Sequence, residues 1–232
     1  MTACWSWVPV NTKPQVIRAL WREKMHVEPR ALELAPATVR ESYAHVWEPA
    51  ELLMAELEAL PLGLLRTWEQ SERGHIVYSH LPSLYRPGAQ PWHQGTLESV
   101  CYLSLGDLRG DKRSALTALY NLLDHLLGSG AVAEEGWLSD GAGLTAALQE
   151  VGARLARIVA LGYGQAELAA STPHAYFAST LWLYLQDPQR LNTLDPLVHK
   201  LYRQTIMNES FWEKRVSGLK KGLPGCAPKP QT

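Results

Sequence analysis

From Ser114 to Gly128 the chain reads SALTALYNLLDHLLG, with Leu116, Leu119, Leu122, Leu123, Leu126 and Leu127 recurring at spacings of three and four. That period is the apolar stripe of a helix packed against a larger body, with Ser114 placed to cap it. Asn121, Asp124 and His125 interrupt the stripe in its middle.

The same period predicts a helix over 15–24, with Val16, Ile17, Leu20 and Trp21 on one side. It predicts another over 49–60, with Leu52, Leu53, Met54, Leu57 and Leu60 aligned and Pro49 in the first turn. Pro61 interrupts that helix, and 62–69 continues it. Pro29 and Pro36 limit any helix in 27–36 to a short one, and 38–43 can be helical. Farther on, a long helix is expected from 142 to 161, capped by Asp140, and another over 175–186 behind Ser171 or Thr172 and Pro173. Asp187-Pro188 and Asp195-Pro196 read as stop-and-restart signals, with helical character persisting to Val216.

Two runs break the helical period. His75–His80 (HIVYSH) and Thr96–Leu105 (TLESVCYLSL) read as strands, and a third, around Trp5–Val10, belongs to an extended arm. Between the first two lies Pro82–Gln94, expected as a loop because it holds three prolines and Gly88. Helices, a few strands, then mostly helices make an α+β chain with a small mixed sheet and a predominantly helical C-terminal half. The expected divisions are 1–48, an N-terminal arm and helices packing on the main domain; 49–216, the main domain; and 217–232, a flexible basic tail.

Composition narrows the classes. The 232 residues, 46% of them hydrophobic, can bury a sizeable core. A formal net charge of −1 gives no expectation of nucleic-acid binding, and there is no apolar run long enough to cross a membrane. Cys4, Cys101 and Cys226 are odd in number and widely spaced, which argues for free thiols and a cytoplasmic protein. Nine tryptophans stand against two phenylalanines; Trp5, Trp7, Trp21 and Trp47 crowd the N-terminal quarter, where they close hydrophobic layers or form an aromatic interface.

The polar residues of the central helix invite a metal-site test. In an HExxH helix two histidines one turn apart face one ion, and the glutamate activates the metal-bound water. Asn121 stands here at the first ligand, Leu122 at the general base and His125 at the second ligand, with Gly128 completing an HExxHxxG frame. A rival register over Thr117–Asn121 keeps neither histidine. Leu122 in one register and Ala118 in the other cannot accept a proton.

The succession of apolar helix, HIVY strand, Pro/Gly segment, SVCYLSL strand and central helix resembles the catalytic domain of zincin metallopeptidases, specifically the group related to anthrax lethal factor. That group's later helix carries a glutamate, two aromatics and Ala-Glu, often continuing into Tyr-Leu-x-Asp-Pro. This chain has Ala175-Tyr176-Phe177-Ala178-Ser179 and then Tyr184-Leu185-Gln186-Asp187-Pro188. The likeness spans about Leu53–Tyr202 and implies a zincin-like fold in which Ala175 occupies the third-ligand position and Ser179 replaces the second acid. Tyr163 is the nearest counterpart of the family's transition-state tyrosine, at a longer spacing.

The resemblance implies a catalytically inactive metallopeptidase-like protein that serves as a protein- or peptide-binding or regulatory module, with no cofactor. His75, Tyr78, His80 and His93, on or near the first strand, are the candidate groove residues, because in that family such a strand can pair with an extended peptide. Two alternatives stand beside it. One is a metal-dependent hydrolase with an unorthodox zinc site from His125, His174 and an acid. The other is a structural or self-assembling subunit, a homo-oligomer held by the tryptophans.

Overall fold

The computed structural model describes residues 12–45, 47–128, 136–168 and 170–216. The arm around Trp5–Val10, Trp5 and Trp7, Cys4 and Cys226, and the tail 217–232 lie outside them.

Helix α1 (Lys13–Lys24) starts at Thr12, whose side chain forms a reciprocal cap with Gln15, and runs directly into strand β1 (Met25–Val27). Two short helical turns, Ala31–Leu34 and Ala37–Arg40, lead to α2 (Glu48–Leu57) and α3 (Leu62–Gln70), which are separated at Pro61. Then come β2 (His75–Ser79), β3 (Leu84–Trp92) and β4 (Gly95–Ser104). A short turn at Leu105–Arg109 precedes the central helix α4 (Arg113–Leu127). The C-terminal half holds α5 (Ala146–Leu161), α6 (Pro173–Gln186), α7 (Pro188–Leu194) and α8 (Pro196–Gln204). This is an α+β fold with a small N-terminal mixed sheet and a largely helical C-terminal half.

The sheet order is β1-β2-β4-β3. β1 and β4 flank β2 in parallel, with Met25 beside Ile76 and His75 beside Val100, while β3 runs antiparallel on the outside of β4. Alternation along β2 and β4 sends Ile76, Tyr78, Cys101 and Leu103 into the main core. Against that core lies α4, with eleven of its 15 residues buried, Asp124 and His125 among them. On its other side α4 packs against α6, where Phe177 and Leu181 are fully buried. A helix apolar on nearly every side is a buried one, covered here by sheet and helices alike.

Several sequence expectations need correction. Pro82–Gln94 is not a loop: Leu84–Trp92 forms the outermost strand, where proline's missing N–H costs no ladder bond on the open side. Pro87 and Gly88 fall in a register shift between Arg86 and Ala89. β1 was hidden in a segment too short to show a period of two. Ser114 lies inside the first turn of α4, whose N-cap position is Lys112, without a side-chain cap. Asp140 ends a 3-10 turn (Leu138–Asp140), and Thr145 caps α5 by accepting from the Leu148 N–H. Thr172, Asp187 and Asp195 cap α6, α7 and α8 as the sequence suggests. Val16, Ile17, Leu20 and Met25 of the N-terminal segment pack in one cluster with Leu64, Trp68 and Ile76.

Candidate functional site

The site lies where α4 crosses beneath β3. Asn121 and His125 are one turn apart on α4 and therefore share a side of it. His125 is 1% exposed, and its Nδ1 lies 2.6 Å from the Tyr85 hydroxyl of β3. Burial pushes the Tyr85 hydroxyl far above its usual range, so the phenol stays protonated and closes that side of the imidazole. Trp137 covers the ring itself, with centroids 4.6 Å apart and planes tilted by 35°, and meets Tyr85 edge-on at 88°.

Asp124, next in the chain to His125, takes a different direction, as adjacent helical residues must. Its fully buried carboxylate accepts from the Ser139 N–H at 2.8 Å and from the Ser139 hydroxyl at 2.6 Å, fixing the 3-10 turn that carries Trp137. His174, in the first turn of α6, places Nδ1 3.1 Å from the Ser139 hydroxyl and 3.5 Å from Asp124, with Nε2 3.5 Å from Asp140. Its ring stacks on Trp137 at 4.0 Å. Burial alone would lower the His174 pKa, but the hydrogen bond to Asp124 and the charges of Asp124 and Asp140 outweigh it and raise it. Burial likewise raises Asp124, opposed by the bonds from His174 and Ser139. The pair holds a proton more firmly than either group would in water.

What the His125 and His174 imidazoles share is the indole of Trp137. Leu122, at the general-base position, is an ordinary core residue. Ala175, at the third-ligand position, contributes a methyl group and a backbone N–H that bonds the Thr172 hydroxyl. Ser179 stands at half exposure one turn further along α6, and Tyr163 is exposed on the turn after α5. Zinc wants three or four nitrogen, sulfur or carboxylate ligands around one point. Here one imidazole, already bonded and covered, faces an amide and a methyl, so these residues do not fit the ion. Among the described residues no three His, Cys, Asp or Glu side chains gather in a way that could hold a metal. Gly128 is fixed by packing: a Cβ there would sit 1.7 Å from the Gly136 carbonyl oxygen.

The residues expected to form a groove on the first strand do not come together as one. β2 is hydrogen-bonded on both sides, so no peptide can pair with it. Tyr78 is fully buried and donates to the Met25 sulfur. His80 and Ser79 both bond the Glu28 carboxylate. His75 and His26 meet on the other face of the sheet at 3.1 Å, where burial first, then Lys24 and His26, pushes His75 down to about 4. His93 has a left-handed φ of 51° at the β3–β4 turn and packs on Trp92.

The sequence missed the edge strand β3, which ends the sheet opposite β1. Beside it runs a cleft of about 510 Å³, walled by residues 83–85 and by Arg113, Thr117 and Asn121 of α4. The Asn121 Oδ1 is buried and has no hydrogen-bond partner. Trp21 and Trp47 meet edge-on between α1 and α2, with Trp47 41% exposed. Cys101 is a free thiol buried in β4, its pKa raised by that burial. No described helix is long and apolar enough to cross a membrane.

Comparison with family models, with curated proteins and with solved structures finds no match to this chain.

Proposed function

We propose that this chain is a catalytically inactive, zincin-like binding protein that takes a partner's extended segment along the open edge of β3. What supports this reading is an edge-strand cleft lying beside the positions where a peptidase of the resembled family would carry its base and metal ligands. The cleft offers a strand edge and an unsatisfied amide oxygen. The positions of the base and two ligands hold Leu122, Asn121 and Ala175, and Tyr85 and Trp137 enclose the remaining imidazole. Metal-dependent peptide hydrolysis needs a Lewis acid, a proton acceptor and oxyanion stabilisation together; Leu122 accepts no proton, and Asn121 and Ala175 are not zinc ligands. Strand addition needs only backbone groups and pockets for alternate side chains. The register shift after Arg86 separates the pairing of Leu84–Arg86 from that of Ala89–Trp92, and residues 83–85 wall the cleft. The buried free thiol of Cys101 suits a reducing, cytoplasmic setting.

The test is a library of unstructured eight-residue peptides incubated with tag-free protein. Retention is read by fluorescence polarisation and products by mass spectrometry. Retention without cleavage is expected, lost in Thr117→Trp, which fills the cleft from a half-exposed position. Cleavage abolished by His125→Ala, or stoichiometric zinc released by that substitution, would establish the hydrolase reading instead.

A further inference from the structure

We infer that the β3–α4 cleft selects a peptide bearing an acidic side chain, which Arg113 receives, while Asn121 takes a backbone N–H of the same peptide; this rests on the binding role proposed above. Arg113 is the charged residue of the cleft lining, and that lining contains no carboxylate. Its neighbour Lys112 is paired with Glu56 at 2.8 Å, whereas Arg113 makes no ion pair among the described residues. The guanidinium carbon instead lies 5.0 Å from the centre of the Trp182 ring. A guanidinium laid on an indole keeps its N–H fork free for a carboxylate and loses little freedom on binding one. At the start of α4 the Asp111 carboxylate accepts from the Arg113 backbone N–H at 3.0 Å, which leaves the side-chain guanidinium as the group that meets a ligand anion.

At the other end of the cleft the ligand must supply a donor. An acceptor such as Asn121 Oδ1, buried without a partner, is costly until it is satisfied. An amide N–H satisfies it, and a carboxylate does not. Arg113 and Asn121 are two turns apart on one helix, a rise of about 12 Å. An extended chain covers that distance in roughly four residues at about 3.3 Å each. The geometry thus points to an acidic residue about four positions from the residue whose amide meets Asn121.

The test is a positional-scanning library of eight-residue peptides presented to the full chain, with one position fixed in turn as Glu, Gln or Lys. Wild-type protein should retain Glu-fixed pools about tenfold better than Gln-fixed pools at one position, with the preference shrinking as salt rises. Arg113→Glu, a change at an exposed residue verified by an unaltered melting temperature, should invert the preference toward Lys at that position. Asn121→Leu should weaken retention of all pools while leaving the acid preference in place. Retention with no acid preference, or a preference unchanged in Arg113→Glu, overturns the inference and leaves the binding role standing. Retention unchanged in Asn121→Leu overturns the amide contact. Failure of the wild-type chain to retain any pool overturns the binding role and this inference together.

Discussion

Asp124 shows how one buried charge can organise its surroundings. An isolated buried carboxylate is costly, and this one is offset by two bonds from Ser139 and by His174. Replacing it with Ala strands those donors, and Asp124→Ala should cost about 3 kcal/mol in urea unfolding. The pair also gives stability a pH dependence of definite sign. Because the folded pKa of His174 is raised, the folded state binds more protons than the unfolded one, and the contribution is complete below about pH 6.5, the unfolded value. It is lost as pH climbs through the raised folded value. Asp124, also raised, acts in the same direction. The charged groups facing His174 are Asp124 of α4 and Asp140 of the adjoining turn. Wild-type protein should therefore lose more of its urea midpoint between pH 6 and 8 than His174→Gln does.

At the scale of elements, close approach of backbone explains features that motif reading would assign to chemistry. Gly128 has no room for a side chain, because Gly136 passes against it. Gly128→Ala should lower stability by about 3 kcal/mol, read as a reduced urea midpoint at an unchanged slope. Gly63 makes the same point on α3, where an added Cβ would meet the Trp212 side chain at 2.1 Å. The Glu209 carboxylate accepts from the Leu62 and Gly63 N–H groups and ties the C-terminal turn to the start of α3. β3 shows the reverse difficulty. Pro87, Gly88 and Pro91 read as a loop, and only the pairing with β4 reveals that these residues form a strand whose outer edge needs no donors.

For the whole molecule, one core runs from Val16 in α1 to Trp212 near the C-terminus, so unfolding should be a single cooperative transition. Removing residues 1–27 deletes α1 and β1, bares the edge of β2 and uncovers Leu64, Leu65 and Trp68 of α3. That truncated chain should lack a cooperative urea transition and bind a hydrophobic dye. Two separate transitions in the full chain would instead support a boundary near residue 48.

The sequence by itself determined the helices that bury one side, since an apolar residue every three or four positions leaves the chain no better conformation. It determined the capped starts at Thr172, Asp187 and Asp195, where a side-chain oxygen and a following proline act locally. It also determined that neither base position of the motif frame can accept a proton, because that follows from residue type alone. Tertiary structure decided which strand is outermost, since edge and interior differ only in what lies beside them. It decided that His125 and His174 meet an indole, because Trp137 arrives on a turn pinned by Asp124 from 15 residues away. It also left Asn121 with a buried oxygen and no donor, a vacancy set by neighbours distant in sequence and invisible to any local pattern.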